Sequence, residues 1–459
     1  MSEAIRDEPK QLEPNLVKVP QESAVGAHVL PEIDSAAPSS MPTNSPWWFK
    51  LFSTRVRVRT LKSFEYRDFQ LFWATSASVM GAEWIHNVVL GWLTFSLTNS
   101  PLLTALTIGI SVLPSVLVSP VAGLLIDNSD RRRLFALMLG IRAFLTTLFV
   151  MMILFGSVAT WHIFSFVFLY GVTGSFLGPV QHAILPNVVP RRHLVNAFAL
   201  VSLSYSFTRL IVPAVTGVLI VWIGSAETLM LSVAFLLIGA VTAFRINLRH
   251  DGSRKFEAGS GIADLVEGVR FIIKEKIILA ITILSGLLLM FITSVNMGLM
   301  PVFASDVYNG GPEVLGLLVT ALGGGMTLGS LLLASLGEPK RKGRNILIAV
   351  TATFIGLAAF SQSTVLVVSL VILIAYGATT VWSWTLIEVT LQSVVPDELR
   401  GRVTSISMMS HIMFPIGTLV IGTVAEFFGA PIAALTSAIA MALAVGVLSL
   451  TFRRTWLST

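Results

Sequence analysis

The sequence predicts an all-α polytopic membrane protein, with twelve transmembrane helices in two pseudo-symmetric bundles of six. Three observations carry that reading. Between residues 69 and 452 the 459-residue chain is a succession of apolar stretches, each near the ~20 residues a helix needs to cross about 30 Å of hydrocarbon. Of the 31 Lys and Arg residues, all but Arg142 and Arg209 fall in alternate connections or in the two tails. Finally, the two halves of the chain repeat one another. At an offset of 211, Pro101 falls on Pro312, Asp127 on Glu338 and Arg133 on Arg344. At 205 or 206, Val189-Pro190 falls on Val395-Pro396 and Gly217 on Gly422. Parallel six-helix repeats are a mark of secondary transporters.

In chain order, residues 1–46 are rich in Pro, Ser, Glu and Ala without apolar period and read as a disordered cytoplasmic tail. Residues 47–68 interleave Trp47, Trp48, Phe49 and Phe52 with Lys50, Arg55, Arg57 and Arg59. That mixture suits either a segment lying on an anionic leaflet or a basic linker before the first helix. Six helices follow at 69–97, 101–126, 133–156, 160–186, 195–223 and 227–246, making an N-terminal bundle over 69–246. A polar break over 247–276 ends in an amphipathic run around Ile262, Leu265, Val269 and Ile272, expected as a helix on the cytoplasmic surface. The C-terminal bundle, 277–452, holds helices at 277–304, 312–336, 344–362, 365–391, 402–428 and 431–452, before a basic tail at 453–459. The basic connections lie between the second and third helices and at every second connection after that. The positive-inside rule then puts both termini in the cytoplasm. No apolar core suited to a cleavable leader occurs in the first 45 or so residues, so the first spanning helix is expected to act as an uncleaved anchor.

Composition removes several function classes. The chain is 54% hydrophobic and 12% charged, with mean hydropathy +0.80, far from soluble usage. Its net charge of +6 is spread over every basic loop and not gathered on one face, so nucleic acid is not an expected partner. With no cysteine there is neither disulfide nor thiolate metal site, and the seven His have no metal-ligand spacing. A phosphate-binding Gly-x-x-x-x-Gly-Lys-Ser/Thr loop is missing, and no nucleophile–base pair can be assembled. The expectation is a non-enzyme without cofactor, whose partners are a small-molecule substrate, protons and the lipid bilayer.

The connection after the second helix, Gly123-Leu-Leu-Ile-Asp127-Asn-Ser-Asp-Arg131-Arg132-Arg133, resembles the Gly-x-x-x-Asp-Arg-x-Gly-Arg-Arg signature of the major facilitator superfamily. Asn128 replaces the usual Arg and Asp130 the usual Gly. The resemblance implies that Asp127 latches the two halves in the outward-open state. By the internal repeat Glu338 takes the equivalent place, so Gly123, Asp127, Arg131, Arg132 and Glu338 form the expected gating set. Further stretches resemble a bacterial exporter branch of siderophore and drug efflux proteins: Gly178-Pro179 through Pro190, Arg209 through Pro213 to Gly217, and Val395-Pro396 through Val403. The resemblance covers about 66–452. No Arg lies in Phe168-Leu-Tyr170-Gly171, so the helix 4 Arg linked to proton coupling in this superfamily is absent.

A charge near the bilayer centre is costly enough to be a functional hypothesis by default. Glu83 in the first helix and Arg209 in the fifth reach similar depth from the same side. They are expected to pair, either as a proton-coupling pair that opens and closes or as a permanent structural one. Arg142, about two turns from its helix end, is expected to snorkel. His86 and Asn87 follow Glu83 by three and four residues, and all three are expected on one face lining a central cavity. The resemblance implies that helices 1, 4, 7 and 10 line this cavity, which adds Tyr170, Asn296, Met297, Trp384 and Glu388. The Gly323-Gly324-Gly325 run is read as close helix packing. The functional expectation is proton-coupled export of a siderophore or hydrophobic drug across a bacterial inner membrane. An uptake symporter, a lipid flippase and a non-transporting scaffold are the alternatives.

Overall fold

The computed structural model describes residues 61–127, 129–247, 270, 273–336, 341–395 and 410–451, and these residues are helical with no strand among them. The N-terminal tail, most of the juxtamembrane segment, nearly all of the 247–276 linker with its amphipathic helix, and the final tail lie outside the described residues. The first long helix, α1, runs Arg67–Thr98, followed by α2 (Pro101–Asp127), α3 (Arg131–Leu154), α4 (Thr160–Val188), α5 (Leu194–Ile223) and α6 (Ser225–Phe244). Then come α7 (Lys276–Gly298), α8 (Pro312–Leu336), α9 (Lys342–Gln362), α10 (Leu366–Val394), α11 (Met413–Phe428) and α12 (Ala430–Thr451). Among the described residues, α2 to α12, with α11 taken together with the turn from Ser410, make eleven helices long and apolar enough to cross a membrane. Although 32 residues long, α1 falls short in composition because Glu83, His86 and Asn87 sit at its middle.

Local chemistry sets the breaks. Asn99 closes α1 in the left-handed region at φ 49°, and its N–H donates to the Phe95 carbonyl. Pro101 then opens α2, where the missing N–H costs nothing. The same device recurs at Asn309, also at φ 49°, shortly before Pro312 opens α8. Gly224 at φ 94° separates α5 from α6, and Gly429 at φ 84° separates α11 from α12. The internal repeat is therefore written in backbone conformation as well as in residue identity. Asp130, which replaces a glycine of the signature, caps α3 by accepting from the N–H groups of Arg132 and Arg133.

Packing follows the small residues. In the first half α1 lies on α5 and α6, α2 on α4, and α3 on α4 and α6; in the second, α8 and α9 lie on α10, and α9 on α12. The most extensive contacts between the first six helices and the last six are α5 with α8 and α2 with α11, and smaller ones link α7 to α2 and α8 to α1. A Cβ on Gly316 would sit 2.6 Å from the Pro213 carbonyl, and one on Gly217 would strike the Pro312 carbonyl, so only glycine allows this α5–α8 approach. Gly323 and Gly324 similarly face Arg209 and Leu210, while Gly325 abuts Ile374 of α10. The expected packing role of the glycine run holds. Large apolar side chains such as Phe144, Trp222 and Leu450 point outward and are exposed, as a lipid-facing surface requires.

The described contacts between the first and last six helices gather toward one end. There Glu426 of α11 accepts from the Ser100 hydroxyl at 2.7 Å and from the Leu102 N–H at 3.1 Å, at the start of α2. Gly91 faces Pro301, and Gly298 and Gly422 both face Ala105. This is the end whose connections carry no Lys or Arg.

Candidate functional site

Glu83 does not meet Arg209. Its carboxylate accepts from Arg142 Nη1 at 2.9 Å, so the expected pair is replaced by one between α1 and α3. Nor does Arg142 snorkel. It is 4% exposed, lies 11 residues into α3, and has its guanidinium carbon 3.8 Å from the centroid of the Tyr170 ring. Nε donates to Thr173 Oγ1 at 2.9 Å and Nη2 to the Tyr170 carbonyl at 3.3 Å. Thus a guanidinium does pack on α4, where the family pattern would supply one from α4 itself, but it arrives from α3. Gly174 leaves the room: a Cβ there would be 2.7 Å from Arg142 Nη2. Depth alone had suggested snorkelling; the contacts that override it come from a neighbouring helix. The available signal was that Arg142 is one of two cations within apolar stretches, with Glu83 facing the same interior.

His86 also departs from expectation. At 100° per residue it is turned a quarter-circle from Asn87, and it points into the interior of the first six helices, 2% exposed. Its Nδ1 lies 2.8 Å from the Ala82 carbonyl, an acceptor, which assigns a proton to Nδ1. Nε2 faces Thr146 Oγ1 at 3.1 Å, and the Thr146 hydroxyl in turn reaches the Arg142 carbonyl at 2.8 Å. Tyr170, expected at the cavity, is likewise buried; its hydroxyl is 3.4 Å from both Glu83 Oε2 and His86 Nδ1. Phe166 stacks beyond the His86 ring, and Phe149 beyond Phe166. The result is a continuous polar chain, Arg142–Glu83–Tyr170–His86–Thr146, walled by aromatics. Neither Thr146 nor Thr173 stood out in the sequence, because threonine is common in apolar helices.

The second half carries a neutral counterpart. Tyr376 on α10, which the repeat aligns with Tyr170, donates to Asn296 Oδ1 on α7 at 2.7 Å. At the position equivalent to Arg142 stands Thr353, bonded to Ser383 at 3.0 Å. One half therefore holds a charged pair where the other holds amide and hydroxyl groups.

Between the halves lies a cavity of about 110 Å³, lined by Asn87 of α1, Arg209 of α5, Asn296 and Met297 of α7, and apolar residues of α8. This places Asn87, Asn296, Met297 and Arg209 together, as a group distinct from the Glu83 pair. Trp384 instead packs with Ile108, Leu289 and Phe414 between α2, α7 and α11. Glu388 is exposed and accepts from Gln392 Nε2 at 2.8 Å, so it takes no part in this cavity. In the expected gating set, Arg132 bonds the Ile246 carbonyl at 3.3 Å and pairs with Asp130 at 3.5 Å. Arg131 opens α3, and a Cβ on Gly123 would meet nothing within 4 Å. The Asp127 side chain and Glu338 lie outside the described residues.

The comparisons with known proteins agree with this architecture. A family model described as a transmembrane secretion effector matches residues 59–456. The chain is 23% identical over 369 residues to a staphyloferrin A transporter of Staphylococcus aureus, covering 78% of this chain and 89% of that one. It is 24% identical over 374 residues to macrolide efflux protein A of Streptococcus pyogenes, covering 79% and 90%. Among solved structures, a point mutant of the nucleoside transporter NupG superposes with a TM-score of 0.71 at 13% identity, over 84% of this chain and all of that one. A bacterial homologue of the lysosomal transporter Spinster, inward-facing and unoccupied, gives 0.65 at 13% identity over 84% and 97%. This chain is a multi-pass membrane transporter, not an enzyme, and belongs to the major facilitator superfamily, in its transmembrane secretion effector family.

Proposed function

We propose that this protein is a proton-driven exporter of a small amphipathic molecule, working by alternating access in a bacterial inner membrane. In this reading α1 is also a crossing, which gives twelve, and 69–246 and 277–452 are two bundles that rock about a midplane site. Both termini are cytoplasmic by the charge of the loops, so the end closed by Glu426 and the α5–α8 glycines faces outward.

The observation that carries the reading is the Glu83–Arg142 pair at 2.9 Å, in the middle of two long helices. A carboxylate at that depth is retained against a cost of at least about 2.5 kcal/mol, which a purely structural helix contact could avoid. In this reading the making and breaking of the Glu83–Arg142 contact is the step that couples to proton movement. Tyr170 is placed to pass that proton, since its hydroxyl lies 3.4 Å from Glu83 Oε2 and 3.4 Å from His86 Nδ1, so His86 reaches Glu83 only through Tyr170. Proton uptake from outside and release inside would then bias the bundles in one direction, and substrate contributes through its unequal affinity for the two states. Gly123, Asp127, Arg131, Arg132 and Glu338 would latch the cytoplasmic side. Asp127→Asn is then expected to slow turnover while substrate binding is retained, read as flux against equilibrium binding.

An outward direction is supported by the secretion family and by relatives that move a siderophore or export a macrolide. The test is flux in proteoliposomes under an imposed pH gradient, with a panel of siderophores and lipophilic drugs. Substrate moving against the proton flow supports antiport. Accumulation in the same direction as protons would establish an uptake symporter instead.

A further inference from the structure

Among the described residues, no acid answers the cation in the cavity. Arg209 enters it from the middle of α5, and its Nε is buried without a hydrogen-bond partner among the described residues. Gly323 of α8 makes space for the arginine stem, since a Cβ there would lie 3.0 Å from Arg209 Cγ. No Asp or Glu is among the residues that line the cavity. Glu83, the carboxylate at equal depth, is held by Arg142. The other polar wall is biased in the same sense. Tyr376 donates to Asn296 Oδ1, which occupies the amide oxygen and leaves the Asn296 N–H₂ group to donate into the cavity. Around these donors the wall is apolar and adaptable, with Trp84, Met297, Met300, Leu322 and Met326.

A guanidinium and an amide N–H₂ without a carboxylate are a site for an anion, because each donor left unmatched in an apolar wall is costly. We propose that Arg209 and Asn296 bind an anionic group of the cargo, a carboxylate in the first instance, while the methionine and tryptophan wall takes its apolar body. This deepens the export reading and rests on it in treating the cavity's ligand as the cargo. It divides the candidate cargoes by charge: an acidic siderophore-like molecule fits, and a lipophilic cation does not. It also gives Arg209 a role separate from proton coupling, which the Glu83–Arg142 contact leaves vacant. The cavity of about 110 Å³ is smaller than the roughly 300–1,000 Å³ of drug-sized pockets, so α8 and α7 must draw back to admit the whole ligand.

The test uses three probes sharing one fluorophore and differing in charge: dansylglycine, its methyl ester and dansyl-ethylenediamine. Binding to the full-length protein in detergent is measured by fluorescence, with no gradient applied. The anion should bind about tenfold tighter than the ester and the cation weakest, as expected for one charge-assisted contact. Arg209→Gln should remove the preference for the anion and Arg209→Lys should keep part of it. If Arg209→Gln does not fold, Met326→Glu supplies an internal counter-charge and should abolish the preference equally. Equal affinities, no binding of any probe, or an anion preference that survives these variants would overturn the assignment. Because binding is read without flux, a failure of proton-driven export leaves it standing. Conversely, export without charge preference would defeat it alone.

Discussion

Glu83 illustrates how far a residue's neighbours decide its role. The sequence marks it as a buried acid, and geometry gives it Arg142 and Tyr170 as partners. Glu83→Gln keeps size and hydrogen bonding, so the variant should insert and fold, yet pH-driven flux should fall by at least about tenfold. Normal flux in liposomes would remove Glu83 from coupling. Arg142→Leu should destabilise the protein, because it leaves a carboxylate uncompensated. Breaking a buried pair costs about 3–5 kcal/mol, and the cost here should be smaller because the Glu83 side chain is 38% exposed. Adding Glu83→Gln to Arg142→Leu should recover most of that loss, a coupling that a double-mutant cycle on the thermal midpoint would detect. His86 and Asn87 show the limit of helical spacing as a guide. Neighbours in sequence, they face opposite tasks, one inside the first six helices and one at the cavity.

At the scale of elements, the α5–α8 contact and the irregular α7 are where the proposed alternating access would act. The α5–α8 contact is tightest at Gly217 and Gly316, where backbone meets backbone with no side chain to interlock, so the pair can separate there without unthreading. In α7 the turns widen over Leu288–Thr293, and again over Phe303–Val307 just beyond it. Wide turns of this kind recur at functional sites. They flank Asn296, and Pro301 between them removes a further backbone bond. The Ser294 hydroxyl reaches back to the Leu289 carbonyl at 3.0 Å and across to Phe414 of α11 at 3.1 Å. Gly217→Val should force α5 from α8 at a cost of about 1–3 kcal/mol, favouring the state in which this end is open. A thermal midpoint and cavity accessibility equal to those of the unaltered protein would show that the contact is not a closure element.

For the whole molecule, the described residues close at the end whose connections carry no Lys or Arg, and in the proposed export cycle that end opens to release cargo. The chain has no cysteine, so one introduced thiol reports alone. Asn87→Cys, at the cavity wall, should react with a membrane-impermeant maleimide supplied on the basic-loop side. Combined with Gly217→Val it should become reactive from the opposite side. Labelling in the single variant from the side whose loops lack Lys and Arg would contradict closure at that end.

What the sequence by itself determined is the part governed by solvent and by local chemistry. Apolar length sets the crossings and loop charge sets their expected sense. Asn99, Pro101, Gly224 and their repeats at Asn309, Pro312 and Gly429 place the breaks. These signals act over one helix or one turn, so they survive in a linear reading. Tertiary structure alone decided which buried charges meet. Depth in the sequence favours Arg209 as the partner of Glu83, and the structure gives it Arg142 instead. The choice falls to Arg142 because α3 and α4 enclose it beneath Tyr170 and beside Thr173, whereas Arg209 is carried to the seam between the halves by the glycines of α8. Which of two equal charges finds a partner depends on how helices pack, and helix packing is a property of pairs of surfaces that no single stretch of sequence contains.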